Sequence, residues 1–269
     1  MPVEMTIARY HGGKWKLAKW IISYFPEHRV YVEPFGGAGS VLLQKPRCYA
    51  EVYNDLDNEI VNLFKMVRDQ GSELKRLLEL TPFARKEFLL SYEPSSDPLE
   101  QARRTVIRAS MGFGSNSLNA LTGFRSNCTR SGTTPAHDFA NYPEYLEEIT
   151  KRLRGIVIEN RNYLEVLTAY DGEETLFYVD PPYVLSTRDN RKRYKCEMTD
   201  QEHTELANSL KLLKGFVVVS GYNCDLYREL YSDWIRVDKE THADGARKRV
   251  ESLWLNHKTA SHQKQINLL

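Results

Sequence analysis

The stretch HRVYVEPFGGAGSVLLQKPRCYAEVYNDLDN, residues 28–58, decides the fold class. His28 to Glu33 and Ala50 to Tyr53 are short apolar runs rich in β-branched and aromatic residues, which predict two buried strands. A glycine-rich turn separates the first strand from a predicted helix over Ser40 to Leu43. Asp55 to Arg68 has the apolar spacing of an amphipathic helix. This order of strand, turn, helix, strand and helix predicts an open α/β sheet.

Helical and strand-like patterns occupy separate regions in the rest of the chain. Residues 73–92 and 98–110 predict helices, residues 112–141 are rich in Gly, Ser, Asn and Thr without a clear period, and helix signals return at Pro143. Strand-like runs follow at Ile156 to Glu159, Leu176 to Val179 and Phe216 to Ser220, and Leu253 to Asn256 ends a final strand-like segment after a charged hairpin near Asp244-Gly245. The pattern predicts an α/β domain over residues 1–58 and 143–269, with an inserted helical domain over residues 59–142.

Composition describes an ordinary globular protein. The chain has 269 residues, of which 27% are charged and 41% hydrophobic. Because the sequence has no long apolar run and its first residues lack a signal-peptide pattern, we expect a cytoplasmic protein. The four cysteines form no C-x-x-C pair and the seven histidines show no ligand spacing, so the sequence predicts no metal site.

Local charge is more informative than the net charge of +1. Residues 103–136 contain five arginines and no acidic residue, and residues 188–195 contain five basic residues against Asp189. Runs of this kind are usually solvated faces. The alternative is contact with the phosphates of a nucleic acid.

The glycine-rich turn Phe35 to Ser40 lies between the first predicted strand and a helix. Its glycines let the backbone turn tightly and let a ligand approach the main chain, although a simple turn would look the same. A dinucleotide fingerprint would have a third glycine where Leu42 stands. Asp55 follows the second strand, where a carboxylate can accept hydrogen bonds from both hydroxyls of a ribose. Together these residues indicate a cofactor that contains a nucleoside.

Asp180 to Tyr183, of sequence Asp-Pro-Pro-Tyr, is the most specific motif in the chain and follows a predicted strand. Two prolines stiffen the backbone and remove two N–H donors, so the loop presents the Asp180 carboxylate and the Pro181 carbonyl as acceptors. Tyr183 adds a flat face for stacking. An aromatic amine such as adenine N6 is a poor nucleophile, and two fixed acceptors can orient its hydrogens for attack. A rigid loop without chemistry is the alternative.

In this order, the motifs resemble those of Dam-type, alpha-class or D12-like, DNA adenine-N6 methyltransferases, particularly phage and prophage members. The resemblance covers nearly the whole chain. The family's W-x-G-G-K is matched by Tyr10 to Lys14, with Tyr in place of Trp, and its glycine motif by Glu33 to Ser40. Its A-D-I-N is matched by Asn54 to Asp57, and its D-P-P-Y is intact. The later residues 220–223, Ser-Gly-Tyr-Asn, resemble the S-N-S or S-x-Y-N turn of the family.

The resemblance implies a Rossmann-like methyltransferase sheet with an inserted helical target-recognition domain, S-adenosyl-L-methionine as cofactor and double-stranded DNA as partner. The reaction implied is site-specific transfer of a methyl group to the N6 amine of a flipped adenine, without a metal. The residues that would act on the target base are Asp180, Pro181, Pro182 and Tyr183. The residues that would contact the cofactor are Tyr10, Lys14, Phe35, Gly36, Gly37, Ala38, Gly39, Ser40, Asp55, Tyr163 and Asp180.

Candidate DNA-contacting residues come from the two basic regions. The insertion lacks the F-N-x-P-[FY]-G segment of GATC-reading members, so GATC is not the assumed target. Arginine can bind guanine and asparagine can bind adenine in the major groove, which makes Arg125, Asn127 and Arg130 candidates for base contacts. A basic loop just after Tyr183 could hold phosphates around an extruded base, and its candidates are Arg188, Arg191, Lys192 and Arg193.

Other functions remain possible from the sequence. An RNA adenine methyltransferase would carry the same motifs, whereas enzymes that modify glutamine amides favour Asn where Asp180 stands. A catalytically silent DNA-binding protein is a further alternative, opposed by the intact Asp180 to Tyr183 motif. Leu42 argues against a nicotinamide dehydrogenase. Restriction-modification, phage self-protection and gene regulation are equally compatible biological roles, and the oligomeric state is open.

Overall fold

A computed structural model describes residues 3–114, 116–129, 132–187, 195–242 and 248–266. The strands are β1 (Val30–Glu33), β2 (Ala50–Asn54), β3 (Ile156–Glu159), β4 (Thr175–Val179), β5 (Phe216–Gly221), β6 (Ile235–His242) and β7 (Lys248–Leu255). The helices are α1 (Ala18–Ile22), α2 (Ser40–Gln44), α3 (Asn58–Glu79), α4 (Arg85–Leu90), α5 (Pro98–Met111), α6 (Pro135–Leu153), α7 (Tyr163–Tyr170), α8 (Asp200–Lys211), α9 (Asp225–Leu230) and α10 (His257–Ile266).

The strands form a sheet in the order β3-β2-β1-β4-β5-β7-β6. β1 pairs in parallel with β2 and with β4, and β4 pairs in parallel with β5. β7 pairs antiparallel with both β5 and β6, so a hairpin ends one side of the sheet. The predicted α/β fold with a Rossmann-like sheet is confirmed, and every strand that the sequence predicted is present.

The chain divides into two compact units. The first comprises Met1–Ala18, Gly37–Pro46 and Asp57–Asn160, and it is built mainly from helices. In it α3 packs against α5 and α6, and these helices carry fully buried apolar side chains such as Phe64 and Leu146. Gly71 allows a close helix approach here, because a β-carbon at that position would overlap the Thr150 side chain on α6.

The second unit comprises Lys19–Gly36, Arg47–Leu56 and Arg161–Leu269. Its core joins the apolar faces of β1, β2, β4, β5 and β7 to α7, α8 and α9. Large aromatic side chains fill much of this core, among them Phe177, Tyr227, Tyr231 and Trp254. Their packing fixes the positions of the parallel strands at whose ends the candidate site lies.

Several helix boundaries differ from the sequence prediction. α6 begins at Pro135 rather than at Pro143, because the Thr134 side chain accepts a hydrogen bond from the His137 backbone N–H and caps the helix there. Pro143 therefore lies inside α6, and the helix runs without a break across position 142/143. The helix expected over residues 73–92 is divided between the end of α3 and α4. None of the helices in the described part of the chain combines the length and hydropathy that a bilayer crossing requires.

Candidate active site

The carboxyl ends of β1, β2, β4 and β5 meet at one edge of the sheet, because these four strands are parallel neighbours. Glu33 ends β1, Asn54 ends β2, Asp180 follows β4, and Ser220 lies in the last part of β5. All four belong to the second unit. Ligands bind at this edge in open α/β sheets, so this edge is the candidate position of the active site.

The side chain of Asn54 connects the ends of β1 and β2 to the start of α7. Its Nδ2 donates hydrogen bonds to the Pro34 carbonyl at 2.9 Å and the Arg161 carbonyl at 3.0 Å, and its Oδ1 accepts from the Arg161 N–H at 2.9 Å. The Gly36 N–H in turn donates to the Asn54 carbonyl at 2.8 Å. Gly36 must be glycine for this approach, because a β-carbon would overlap the ring of Tyr53. The half-buried Asp55 follows directly.

Two aromatic residues predicted to contact the cofactor lie together in this unit. The rings of Phe35 and Tyr163 have centroids 5.0 Å apart and planes 33° apart. Burial, with a smaller contribution from the Glu205 and Glu202 carboxylates, raises the pKa of Tyr163 to about 12. Tyr163 is therefore a neutral phenol at physiological pH, and the pair offers an uncharged aromatic surface beside the glycine-rich turn.

Asp180 is held by a chain of hydroxyl groups. Ser220 Oγ donates to Asp180 Oδ1 at 2.7 Å, and the Tyr178 hydroxyl lies 3.1 Å from Ser220 Oγ. Because Ser220 gives its hydrogen to the carboxylate, Tyr178 is the donor to Ser220. Burial first, and the Asp180 charge second, raise the pKa of Tyr178 well above its ordinary value. The sequence resemblance included Ser220 in a turn typical of the family, but its bond to Asp180 was not predicted.

Tyr183, at the other end of the Asp-Pro-Pro-Tyr loop, is buried. Its hydroxyl donates to Glu251 Oε1, and both side chains are almost fully enclosed, at 6% and 3% exposure. Tyr222 meets it edge-to-face with centroids 4.6 Å apart, and Arg249 Nη1 donates to the Tyr222 hydroxyl at 2.7 Å. Sequence reasoning missed Glu251 and Arg249. Their spacing of two on a strand was the available signal, since it places both on one face.

A cleft of about 930 Å³ lies beside Tyr222. Among the described residues that line it, Arg228 and Arg249 balance the formal charge of Asp225 and Asp238. Asn223 Oδ1, which lies in the cleft wall, accepts hydrogen bonds from Arg228 and Arg236 at 3.2 and 3.0 Å.

The first unit contains the remaining residues predicted to contact the cofactor. Gly37 has a φ of 48°, and a β-carbon there would lie 3.0 Å from the Tyr10 ring, so these two predicted residues are brought together. Gly39, with a φ of 61°, caps α2, and Ser40 begins it. Ala38, between Gly37 and Gly39, is buried. Lys14 is 5% exposed and its Nζ donates to the Gly12 carbonyl at 2.9 Å.

Backbone hydrogen bonds join residues 111–113 to residues 123–125, at the start of the segment predicted to contact DNA bases. The Phe113 N–H donates to the Gly123 carbonyl and the Arg125 N–H to the Met111 carbonyl, each at 2.8 Å. Arg125 Nη1 donates to the Ser110 carbonyl at 3.0 Å, and Asn127 Oδ1 accepts from the Thr129 N–H at 2.8 Å. The other five candidates for DNA contact lie outside the described residues: Arg130, Arg188, Arg191, Lys192 and Arg193.

Three arginines of the acid-free run have acidic partners from outside that run. Arg103 donates to Glu100 and Glu87, Arg104 to Glu100, and Arg108 to Glu59. The interpretation of residues 103–108 as a structural, ion-paired surface is therefore favoured over phosphate contact. In the described ranges, no group of three His, Cys, Asp or Glu side chains could hold a metal ion.

Comparison with known proteins identifies a family to which the sequence is similar. Residues 10–244 match the model of the D12 class N6 adenine-specific DNA methyltransferases. The chain is 22% identical over 248 residues to Type II methyltransferase M.CviBI of Paramecium bursaria Chlorella virus NC1A, a match that covers 87% of this chain and 89% of that protein. It is 27% identical over 270 residues to Type II methyltransferase M1.LlaDCHI of Lactococcus lactis subsp. cremoris, covering 89% of each.

A third relative is the DNA adenine methylase of Salmonella typhi, 25% identical over 274 residues and covering 94% of this chain and 95% of that protein. A solved structure, a putative methyltransferase yhhF from Escherichia coli, covers 92% of this chain and 96% of its own at 11% identity and a TM-score of 0.38. Because the family model spans most of the sequence, the chain belongs to the D12 class of N6 adenine-specific DNA methyltransferases.

Proposed function

We propose that this DNA adenine methyltransferase moves the methyl group of S-adenosyl-L-methionine to the N6 amine of an adenine flipped out of duplex DNA. The observation that supports it most is the Asp180 carboxylate, held by Ser220 at 2.7 Å at the carboxyl end of β4 and followed by two prolines. A carboxylate and a carbonyl on a stiff loop suit an amine that must be oriented before it can react.

The chain's own residues orient the amine. Asp180 and the Pro181 carbonyl accept its two hydrogens, which draws the nitrogen lone pair out of conjugation with the purine ring. S-adenosyl-L-methionine, when bound, supplies an electrophilic methyl group on a sulfonium sulfur. The N–C bond would form as the C–S bond breaks, S-adenosyl-L-homocysteine would be the leaving group, and the methylated nitrogen would release one proton to solvent. No covalent bond to the protein is required.

Residues of the second unit support a proposed contact with the adenosyl moiety. The Phe35–Tyr163 pair offers an aromatic surface for a purine, and Asp55 offers a carboxylate for ribose hydroxyls. Gly36 keeps the backbone free of a side chain at the adjacent turn. The contacts of Tyr10, Lys14 and residues 37–40 with the cofactor stay predictions from the resemblance.

Base flipping follows from the chemistry of duplex DNA. Adenine N6 is paired inside the helix, so an enzyme can reach it only when the nucleotide is extruded. Arg125 and Asn127 are proposed to contact base edges, and the basic residues among 188–193 to hold the neighbouring phosphates. Tyr183 and Pro182 complete the proposed base-binding loop.

The decisive experiment combines sequencing with one substitution. Plasmid DNA incubated with the protein and S-adenosyl-L-methionine should acquire methylated adenine at one sequence motif, read by modification-sensitive long-read sequencing. Asp180→Ala should lower kcat by at least about 100-fold while DNA affinity changes little, since it removes an acceptor used in the reaction. Asp233→Ala, an exposed carboxylate outside the site, is the matched control.

Either of two results would overturn the proposal. Near-normal turnover of Asp180→Ala would remove the amine-orienting mechanism. Methylation of RNA oligonucleotides but of no DNA would reassign the substrate.

A further inference from the structure

We infer that Glu251, on β7, is a positioning residue that fixes the Asp-Pro-Pro-Tyr loop by accepting the Tyr183 hydroxyl. This inference rests on the proposed function, because it assigns Glu251 a role in the geometry of Asp180 and Pro181. Nothing in the motif pattern of the sequence assigned any role to β7.

The loop is anchored at both ends by side chains from two adjacent strands. At its start, Ser220 of β5 donates to Asp180; at its end, Glu251 of β7 accepts from Tyr183. β5 and β7 are antiparallel neighbours, with Ser220 opposite Leu253. One rigid pair of strands therefore determines where the loop begins and ends.

Burial makes the second anchor strong. Glu251 is 3% exposed and Tyr183 6% exposed, so neither group can exchange its partner readily for bulk water. A buried carboxylate is costly unless it is hydrogen-bonded, and a hydroxyl that donates to a charged oxygen makes a stronger bond than one to a neutral acceptor. The bond therefore restricts the Tyr183 ring, and with it the two prolines that precede the ring.

The same face of β7 restrains the neighbouring ring. Arg249 lies two residues before Glu251 and donates to the Tyr222 hydroxyl at 2.7 Å, while Tyr222 packs edge-to-face on Tyr183. Two tyrosine hydroxyls are thus tethered to alternate residues of one strand. Such an arrangement resists rotation of the aromatic pair more than packing by itself would.

The test separates orientation from binding and from folding. Glu251→Gln keeps the shape but weakens the acceptor, and it should lower kcat about fivefold with KM for S-adenosyl-L-methionine unchanged within about twofold. Tyr183→Phe, which removes the donor, should give a similar loss. Adding Glu251→Gln to Tyr183→Phe should then change kcat by less than about twofold, because the bond is already absent.

Controls keep the outcomes distinct. Glu240→Gln removes an exposed carboxylate from the β6–β7 hairpin and should retain wild-type kcat. Wild-type kcat in Tyr183→Phe would overturn the inference even if Glu251→Gln folds poorly. Equal losses of kcat from Glu251→Gln in the wild-type and Tyr183→Phe backgrounds would also overturn it. A wild-type protein that methylates no DNA would instead contradict the proposed function.

Discussion

At the scale of single residues, the site depends on polar groups whose partners lie far away in sequence. Asn54 bonds to residue 161, Ser220 to Asp180 and Glu251 to Tyr183. Each of these links is buried or half-buried, where a lost partner is more costly than on the surface. The geometry of the Asp180 to Tyr183 loop is therefore sensitive to substitutions outside that loop.

Ser220→Ala tests this sensitivity. The substitution removes the 2.7 Å bond to Asp180 and leaves the buried Tyr178 hydroxyl without its acceptor at Ser220. We expect kcat to fall about five- to tenfold, in keeping with a loss of roughly 1–1.5 kcal/mol for one such bond. Steady-state kinetics with radiolabelled S-adenosyl-L-methionine measures it. Ser209→Ala, on the exposed side of α8, is the control, and equal kcat for both variants would contradict the expectation.

The residues that the sequence identified are those whose role follows from the residue types of a short local segment. Asp180 and the glycine turn stand out because prolines and glycines have strong backbone consequences by themselves. Ser220 belongs to a turn that the resemblance includes, but its bond to Asp180 and the role of Glu251 were not predicted, because both depend on which strands are neighbours. Ser220 reaches Asp180 because β5 lies beside β4, and Glu251 lies on β7, which inserts antiparallel beside β5; no local pattern specifies either placement.

At the scale of elements, strands were predicted better than helix boundaries. Short apolar runs predicted each parallel strand. The predicted helix start at Pro143 lies eight residues after the observed start of α6, because proline is common at the first position of a helix. The signal that would have corrected it is Thr134-Pro135, a capping residue followed by proline at the first helical position. Caps therefore carry boundary information that apolar periodicity lacks.

The contribution of one helix cap to stability can be measured at the start of α8. Thr199 and Glu202 form a reciprocal capping box, each side chain bonding to the other residue's backbone N–H. Thr199→Ala should lower the free energy of unfolding by about 1 kcal/mol. Thr204→Ala, which removes a hydroxyl from the middle of the same helix, should have a smaller effect. Urea denaturation compares the two, and a larger loss in Thr204→Ala would reject the cap as the stronger contribution.

At the scale of the whole molecule, a net charge of +1 must still allow binding to a polyanion. Arg103, Arg104 and Arg108 are ion-paired with acidic side chains, which reduces the positive charge that this part of the basic run can present to DNA phosphates. Net charge and composition are thus poor guides to the DNA-binding surface of this protein. The predicted contributors are instead the arginines and lysine among residues 188–193.

Salt dependence distinguishes the two basic regions. Arg191→Gln should weaken DNA binding and reduce the slope of log K against log salt concentration by about 0.9, the value for one lost phosphate contact. Arg104→Gln should leave the slope unchanged, because its guanidinium is paired with Glu100. Fluorescence anisotropy at several salt concentrations measures both slopes. The reverse pattern would relocate phosphate contact to the helical unit.

The position of β7 also has a consequence for synthesis on the ribosome. β5 and β6 leave the ribosome before β7, yet β7 lies between them in the sheet and carries Glu251. While β7 is still inside the ribosome, the nascent chain has neither the hairpin partner of β6 nor the acceptor for the Tyr183 hydroxyl. The loop thus gains its second anchor late in translation, so truncated products that stop before β7 should bind and methylate poorly even when the parallel strands have formed.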